Sequence, residues 1–237
     1  MRNLTLATVT LLGVVWTMAG DTSAQERKPL EPFNGKNLDG WKLKGPATRS
    51  KWTVGYARMD PAAPNRLLVA PAPSGDEGPP QLVNAAGGGV DIYTERKFGD
   101  CTVEVEFMVP KGSNSGIYLM GEYEVQILDS YGKEKVGPGD LGGLYGAAAP
   151  RVNAALAPGQ WQKFVIEFQA PRFDNGRKIA PAKFVKVTLN GKVIHENVEM
   201  KGPTPSGVTG QEAPTGPLMF QGDHGPVAFR NIRIFVK

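Results

Sequence analysis

Short runs in which apolar and polar side chains alternate recur along this sequence, and no stretch after residue 25 sustains an apolar stripe at helical spacing over three turns. Alternation with period two is what a strand with one buried face requires, whereas an amphipathic helix needs apolar residues every three or four positions. Strands are predicted at 52–58, 66–70, 94–98, 102–109, 115–120, 123–128, 162–169, 183–189, 192–195, 217–221 and 227–235. The 30 Gly and 20 Pro residues fall largely between them, so turns and long loops make the connections. Strands at this spacing with no intervening helices fold as an all-β, antiparallel sandwich or jelly roll. Asn190-Gly191 is a two-residue hairpin signal, since both residues tolerate positive φ. The connections 71–89, 130–157 and 202–217 are long and rich in Gly and Pro. Loops of that length in a compact domain are usually functional or mobile, and at least one is expected to wall a site.

The N-terminus reads as an export signal. Met1-Arg2 precedes an apolar stretch over residues 4–16, and Thr22-Ser23-Ala24 supplies the small residues that signal peptidase prefers. Residues 1–24 are therefore expected to be removed, leaving 25–237 as a single periplasmic or secreted domain. The apolar stretch is shorter than the ~20 residues that span a bilayer, and no later run approaches that length, so no membrane span is expected. The single cysteine, Cys101, cannot form an intrachain disulfide and opens an alternating apolar run, as a small buried hydrophobe would. The formal charge is +4, but Lys and Arg are scattered and form no basic run, which argues against a nucleic-acid partner.

One pair of segments departs from sandwich patterning. In 114–119 and 123–128, Tyr123, Val125 and Ile127 form one face while Glu122, Glu124 and Gln126 form the other. Burying two carboxylates and an amide without partners is costly, so this row either faces water or lines a cleft that binds something polar. A retaining glycosidase would need two carboxyl groups ~5.5 Å apart, which i, i+2 spacing permits. Against it, Gln126 breaks the acidic alternation and Glu122 sits in a turn. Asp129 has an ordinary role in the Asp129-Ser130 turn.

A second cluster is Gln221-Gly222-Asp223-His224-Gly225, followed by the strand that carries Arg230. His224 is one of two histidines, sits in a glycine-flanked loop, and has the chemistry of a general base or metal ligand; His195 reads as structural or exposed. No zinc-type ligand spacing is present. Sugar rings stack on exposed aromatic faces, and Tyr145 in Gly143-Leu144-Tyr145-Gly146-Ala147 is the best-placed ring for that, whereas Trp41 and Trp161 precede apolar runs and read as core.

Seven segments together resemble a known family: 32–41 (PFNGKNLDGW), Asn114 to Ile117, Glu124-Val125-Gln126-Ile127, Gly143 to Ala147, Gly159-Gln160-Trp161, Gln221 to His224 and Phe229-Arg230-Asn231-Ile232. They occur in the order seen in the 3-keto-disaccharide hydrolase domain family, across nearly the whole chain after residue 25. The resemblance implies a concanavalin A-like jelly roll acting on 3-keto-glycosides, with a carbohydrate as the partner. It further implies His224 or Glu124 as base, Asn114, Gln126, Tyr145 and Gln221 as sugar-binding groups, and Arg230 or a divalent cation steadying the developing oxyanion. A noncatalytic carbohydrate-binding module on the same fold is the alternative. Two positions differ from the family pattern: Met120 stands where Arg is frequent, and Gly159-Gln160-Trp161 replaces Gly-Glu-Trp.

Overall fold

The computed structural model describes Met1 and residues 28–73, 75 and 78–237; the segment read as an export signal, Met1 apart, lies outside the described residues. The strands are β1 (Trp41–Lys44), β2 (Trp52–Asp60), β3 (Ala63–Ala70), β4 (Gln81–Asn84), β5 (Asp91–Phe98), β6 (Cys101–Met108), β7 (Asn114–Leu119), β8 (Tyr123–Leu128), β9 (Gln162–Gln169), β10 (Arg172–Asp174), β11 (Arg177–Ala180), β12 (Lys183–Leu189), β13 (Lys192–Glu199), β14 (Gly216–Phe220) and β15 (Val227–Val236). They build an eight-stranded sheet in the order β13-β12-β9-β6-β15-β4-β2-β3, a five-stranded sheet in the order β1-β5-β14-β7-β8, and the small hairpin β10-β11. All strand pairings are antiparallel. The two large sheets form the sandwich that the alternation predicts. No described helix is long and apolar enough to cross a membrane.

The strands absent from the sequence reading are short or carry polar residues in buried positions. In β4, Gln81 and Asn84 are fully buried. Gln81 accepts a hydrogen bond from the Ala57 amide at 2.5 Å, and Asn84 donates to the Gly222 carbonyl at 2.7 Å. Both amides are held by backbone groups, which satisfies buried polarity without an alternating pattern. The Asn190-Gly191 turn is as expected, with φ of 51° and 79° closing β12 onto β13.

Between the sheets, four aromatic rings form a column. Phe220 of β14 stacks on Phe229 of β15 at 4.0 Å and 9°, Trp41 packs on Phe220 at 5.5 Å, and Trp52 on Phe229 at 6.2 Å. Trp41 is core, as its position before an apolar run predicts. Trp161 is not: it lies partly buried on the outer side of the eight-stranded sheet, beneath the Arg230 guanidinium at 4.0 Å. Cys101 is buried, and burial pushes its thiol up to about 12, so it is unreactive at neutral pH. His195 is also buried, with Nε2 at 2.7 Å from the Gly142 carbonyl.

The column joins the last residue of β14 to the other sheet, and the chain crosses between sheets immediately after it. Phe220→Ala should cost about 3–5 kcal/mol through the cavity it leaves. Denaturant unfolding followed by tryptophan fluorescence would measure this.

Candidate active site

Strand register places the polar row. Tyr118 pairs with Glu124 and Gly116 with Gln126 across β7 and β8, while Met219 of β14 pairs with Tyr118. The residues of β7 that share this outer face are Asn114, Gly116 and Tyr118, alternating with the buried Ile117 and Leu119. Gly116 is the floor. Gln126 stands beside it on β8, and Gln221, whose backbone N–H donates to the Gly116 carbonyl at 2.9 Å, stands on its other side. A Cβ at position 116 would lie 2.4 Å from Glu124 Oε1, so the carboxyl occupies space that only glycine leaves open.

These groups line a hollow of about 110 Å³, with Tyr145, Pro205, Ser206 and His224 completing its walls. Of the seven site residues read from the sequence, Asn114, Glu124, Gln126, Tyr145, Gln221 and His224 converge here. Two long loops wall it, as anticipated: Tyr145 comes from 130–157, whose amide donates to the Glu124 carbonyl at 3.2 Å, and Pro205 and Ser206 come from 202–217.

Arg230 does not reach the hollow. Six residues after His224, the chain has entered the other sheet, and alternation from the buried Phe229 turns Arg230 to that sheet's outer face, where Nε donates to Glu106 at 2.7 Å. Glu122 is likewise elsewhere. Its carboxylate accepts from the Thr209 amide (2.8 Å), the Thr209 hydroxyl (2.7 Å) and the Gly210 amide (3.0 Å), and its carbonyl accepts from the Thr204 amide at 2.8 Å. It anchors the 204–210 strap, so no Glu122–Glu124 pair exists for direct displacement. Asp129 is a turn residue, accepting from the Gly112 and Tyr131 amides. Met120, with φ of 56° in the β7–β8 turn, lines a separate hollow of about 290 Å³ on the same sheet. Gln160 is exposed beside Trp161, so both departures from the family pattern fall outside the Glu124 hollow.

The electrostatics are unusual. Burial pushes the Glu124 carboxyl up to about 7; a hydrogen bond from Tyr118 and the charge of His224 oppose this, and the carboxylates of Asp91 and Asp223 reinforce it. Burial, with Glu124 beside it, pushes the Tyr118 phenol far above its ordinary value, so it stays a donor. The His224 Nδ1 lies 2.5 Å from an Asp223 carboxylate oxygen, which leaves Nε2 free. Asn114 Oδ1, Gln126 Oε1 and Gln221 Oε1 are buried, and none has a hydrogen-bond donor. Gln221 Nε2 donates to Tyr118 Oη at 3.4 Å. Among the described residues no group of three or more His, Cys, Asp and Glu is arranged to hold a metal. A cation in this hollow would have Glu124, His224 and the neutral amide oxygens for ligands.

The Gln221–Gly225 loop keeps its glycines because it lies on backbone. A Cβ at 222 would stand 2.3 Å from the Val90 carbonyl, and one at 225 would stand 2.7 Å from the Asn114 amide nitrogen. The Gly222 amide donates to buried Asp91 at 3.0 Å, and the Gly88 amide donates to the His224 carbonyl at 3.0 Å. Tyr118, Asp91 and Asp223 were missed in the sequence. Tyr118 had a readable signal, being two residues from Gly116 and four from Asn114 on the same strand.

The family of 3-keto-alpha-glucoside-1,2-lyase-like domains matches residues 29–235. The chain belongs to that family. Among solved structures, a protein from Parabacteroides distasonis designated a "putative glycosyl hydrolase" is similar at 28% identity and a TM-score of 0.67, over 89% of this chain and 84% of that one. A second protein of the same designation and organism is 17% identical with a TM-score of 0.59, over 89% of this chain and 94% of that one, which bears on the fold alone. Comparison with curated proteins gives no match. The family and the jelly-roll sandwich are thus those the seven sequence segments imply.

Two outcomes follow from the geometry. Because the folded Glu124 titrates near 7 and an unfolded glutamate near 4.5, both states are protonated at pH 4. As pH rises past 4.5 the unfolded state ionises first and the fold loses up to roughly 3 kcal/mol by pH 8. Glu124→Gln should therefore raise Tm at pH 8 and change it far less at pH 4, read by calorimetry. Gly116→Ala should fold but displace the carboxyl, seen as loss of the near-neutral glutamate titration by NMR.

Proposed function

We propose that the protein is an exported enzyme that cleaves 3-keto-glycosides by elimination across C1 and C2, followed by hydration. The observation that carries this reading is a desolvated carboxyl and an Asp223-backed imidazole facing one small hollow together with sugar-type hydrogen-bonding groups. A ketone at C3 acidifies the C2 proton. The Glu124 carboxylate takes that proton, the electron pair passes through the C3 enolate to form C1=C2, and the C1–O bond breaks. The departing oxygen receives its proton from His224 Nε2. In the hydration half, water gives one proton to His224 Nε2 as its hydroxyl adds to C1, and Glu124 returns its proton to C2, leaving the free 3-keto sugar.

Each group suits its part. A general base works best when it titrates near the working pH, and Glu124 does so because burial has weakened its hold on charge. His224 is half exposed at the mouth, where a leaving group would project, and Asp223 holds its other nitrogen. Tyr118 keeps its O–H proton and can turn it from the Glu124 carboxylate to the enolate once Glu124 has taken the C2 proton, the part the sequence reading gave to Arg230 or a cation. The exposed ring of Tyr145 at the rim gives a stacking surface.

Incubation of the purified chain with a 3-keto-disaccharide, with release of the monosaccharide measured by chromatography, tests the reading. On the acid side of its profile, turnover should rise with pH up to about 7, because the base must be ionised. Glu124→Gln should lower kcat by about 10²–10⁴, and Arg230→Ala should leave turnover per folded molecule unchanged. Binding without released sugar would make the protein a carbohydrate-binding module instead.

A further inference from the structure

Glu122 is a buried carboxylate that the proposed chemistry leaves unused. The strap it holds, 204–210, supplies Pro205 and Ser206 to the wall of the Glu124 hollow, and both ends of that strap return to Glu122. At the first end, the Thr204 hydroxyl donates to the Glu122 carbonyl at 2.9 Å and accepts the Glu124 backbone N–H at 3.1 Å, so the strap is stitched to the backbone of the proposed base. At the second, the Glu122 carboxylate takes the Thr209 and Gly210 donors, and the Val208 amide donates to the Gly121 carbonyl at 2.8 Å. Between them Gly207 lies against the carboxylate, since a Cβ there would fall 2.1 Å from Glu122 Oε2.

A strand pair gives Glu124 a floor only, and a carboxyl on an open sheet face stays hydrated. What covers it comes from the Gln221–Gly225 loop, the Tyr145 loop and the strap. The first two are tied to β7 and β8 by backbone bonds, from Gln221 to Gly116, from Gly225 to Asn114 and from Tyr145 to Glu124. The strap has its main hold at Glu122. We infer that Glu122 is a positioning residue: it clamps the 204–210 strap over Glu124 and so keeps water from the carboxyl that the strap encloses. A carboxylate suits this because it accepts at both oxygens, and here it receives three hydrogen bonds. A glutamine has one accepting end, so it could keep the Thr209 pair but would set its own N–H against that of Gly210. An alanine keeps neither. The groups that face Glu124 are Tyr118 from β7, Asp91 from β5, Asp223 and His224 from the Gln221–Gly225 loop, and Tyr145, while Lys44 of β1 reaches the strap at the Ser206 carbonyl, 2.5 Å away. All of them remain in the variants below, so a change at Glu124 reports the strap.

The test is NMR on the full chain without substrate, with amide exchange read along the strap and the Glu124 carboxyl followed through a pH titration. In Glu122→Ala the Thr209 and Gly210 amides should exchange at least about tenfold faster, while the amides of β6 and β9 keep their protection. The Glu124 midpoint should fall from about 7 to about 6 or below as water reaches it. Glu122→Gln should lie between the alanine variant and the parent. Thr209→Val removes one donor and keeps the Glu122 charge, and should move the midpoint the same way by less. A folded Glu122→Ala whose Glu124 midpoint stays near 7 would overturn the inference, whether or not the strap amides open. Equal shifts in the alanine and glutamine variants with none in Thr209→Val would also overturn it, because Glu122 would then act through its charge. If Glu122→Ala does not fold, the glutamine and valine variants carry the same comparison. The consequence for turnover, an acid limb displaced to lower pH with the midpoint, rests on Glu124 as the proposed base. The two readings fail separately: full turnover by Glu124→Gln removes the base and leaves the clamp, whereas an unmoved midpoint removes the clamp and leaves the base.

Discussion

Contact between Phe220 and Phe229, ring on ring at 4.0 Å, is the point at which the two sheets of this sandwich are fixed to each other. The residue after Phe220 is Gln221, and four residues on is His224, so the site begins where the inter-sheet packing ends. Trp41 and Trp52 extend the stack in both directions, and the Trp52 Nε1–H donates to the Val90 carbonyl at 2.7 Å beside Gly222. Aromatic burial therefore does more than stabilise: it sets the level at which the catalytic-type loop leaves the sheet.

On that support the chain assembles groups that are poorly matched to one another. A carboxyl is desolvated against a glycine floor, two further carboxylates stand near it, and three amide oxygens lack donors. None of this favours folding. A protein can retain such an arrangement when the remainder of the core, here nearly continuous across both sheets, outweighs it.

Much of this was legible in the sequence because period-two alternation carries through a strand without help from the rest of the fold. The eight residues from Asn114 to Gly121 and the six of β8 gave the polar face, its buried counterpart and the site row. The turn at Gly121-Glu122 was readable, though not that it sends the Glu122 side chain to the strap. Arg230 obeys alternation within its own strand, but the crossing between sheets after His224, which carries it away from the hollow, leaves no mark in local spacing. Tyr118 was overlooked because tyrosine at a strand position passes for core, and its ring is indeed buried while its hydroxyl meets the hollow. Asp91 acts from another segment, through the Gly222 amide, a partnership that exists only in three dimensions, whereas Asp223 adjoins His224 in the sequence and only its contact with the ring needed the structure.

The Gln221–Gly225 loop rests on both layers at once: on β7 through the Gly225 amide to the Asn114 carbonyl, and on the turn after β4 through the His224 carbonyl to the Gly88 amide. Any ligand that touches Glu124 and His224 together thus spans a seam, acting as a temporary cross-link that opposes sliding of one layer over the other. Occupancy becomes a mechanical property of the whole sandwich, and its melting temperature a gauge of what the seam holds.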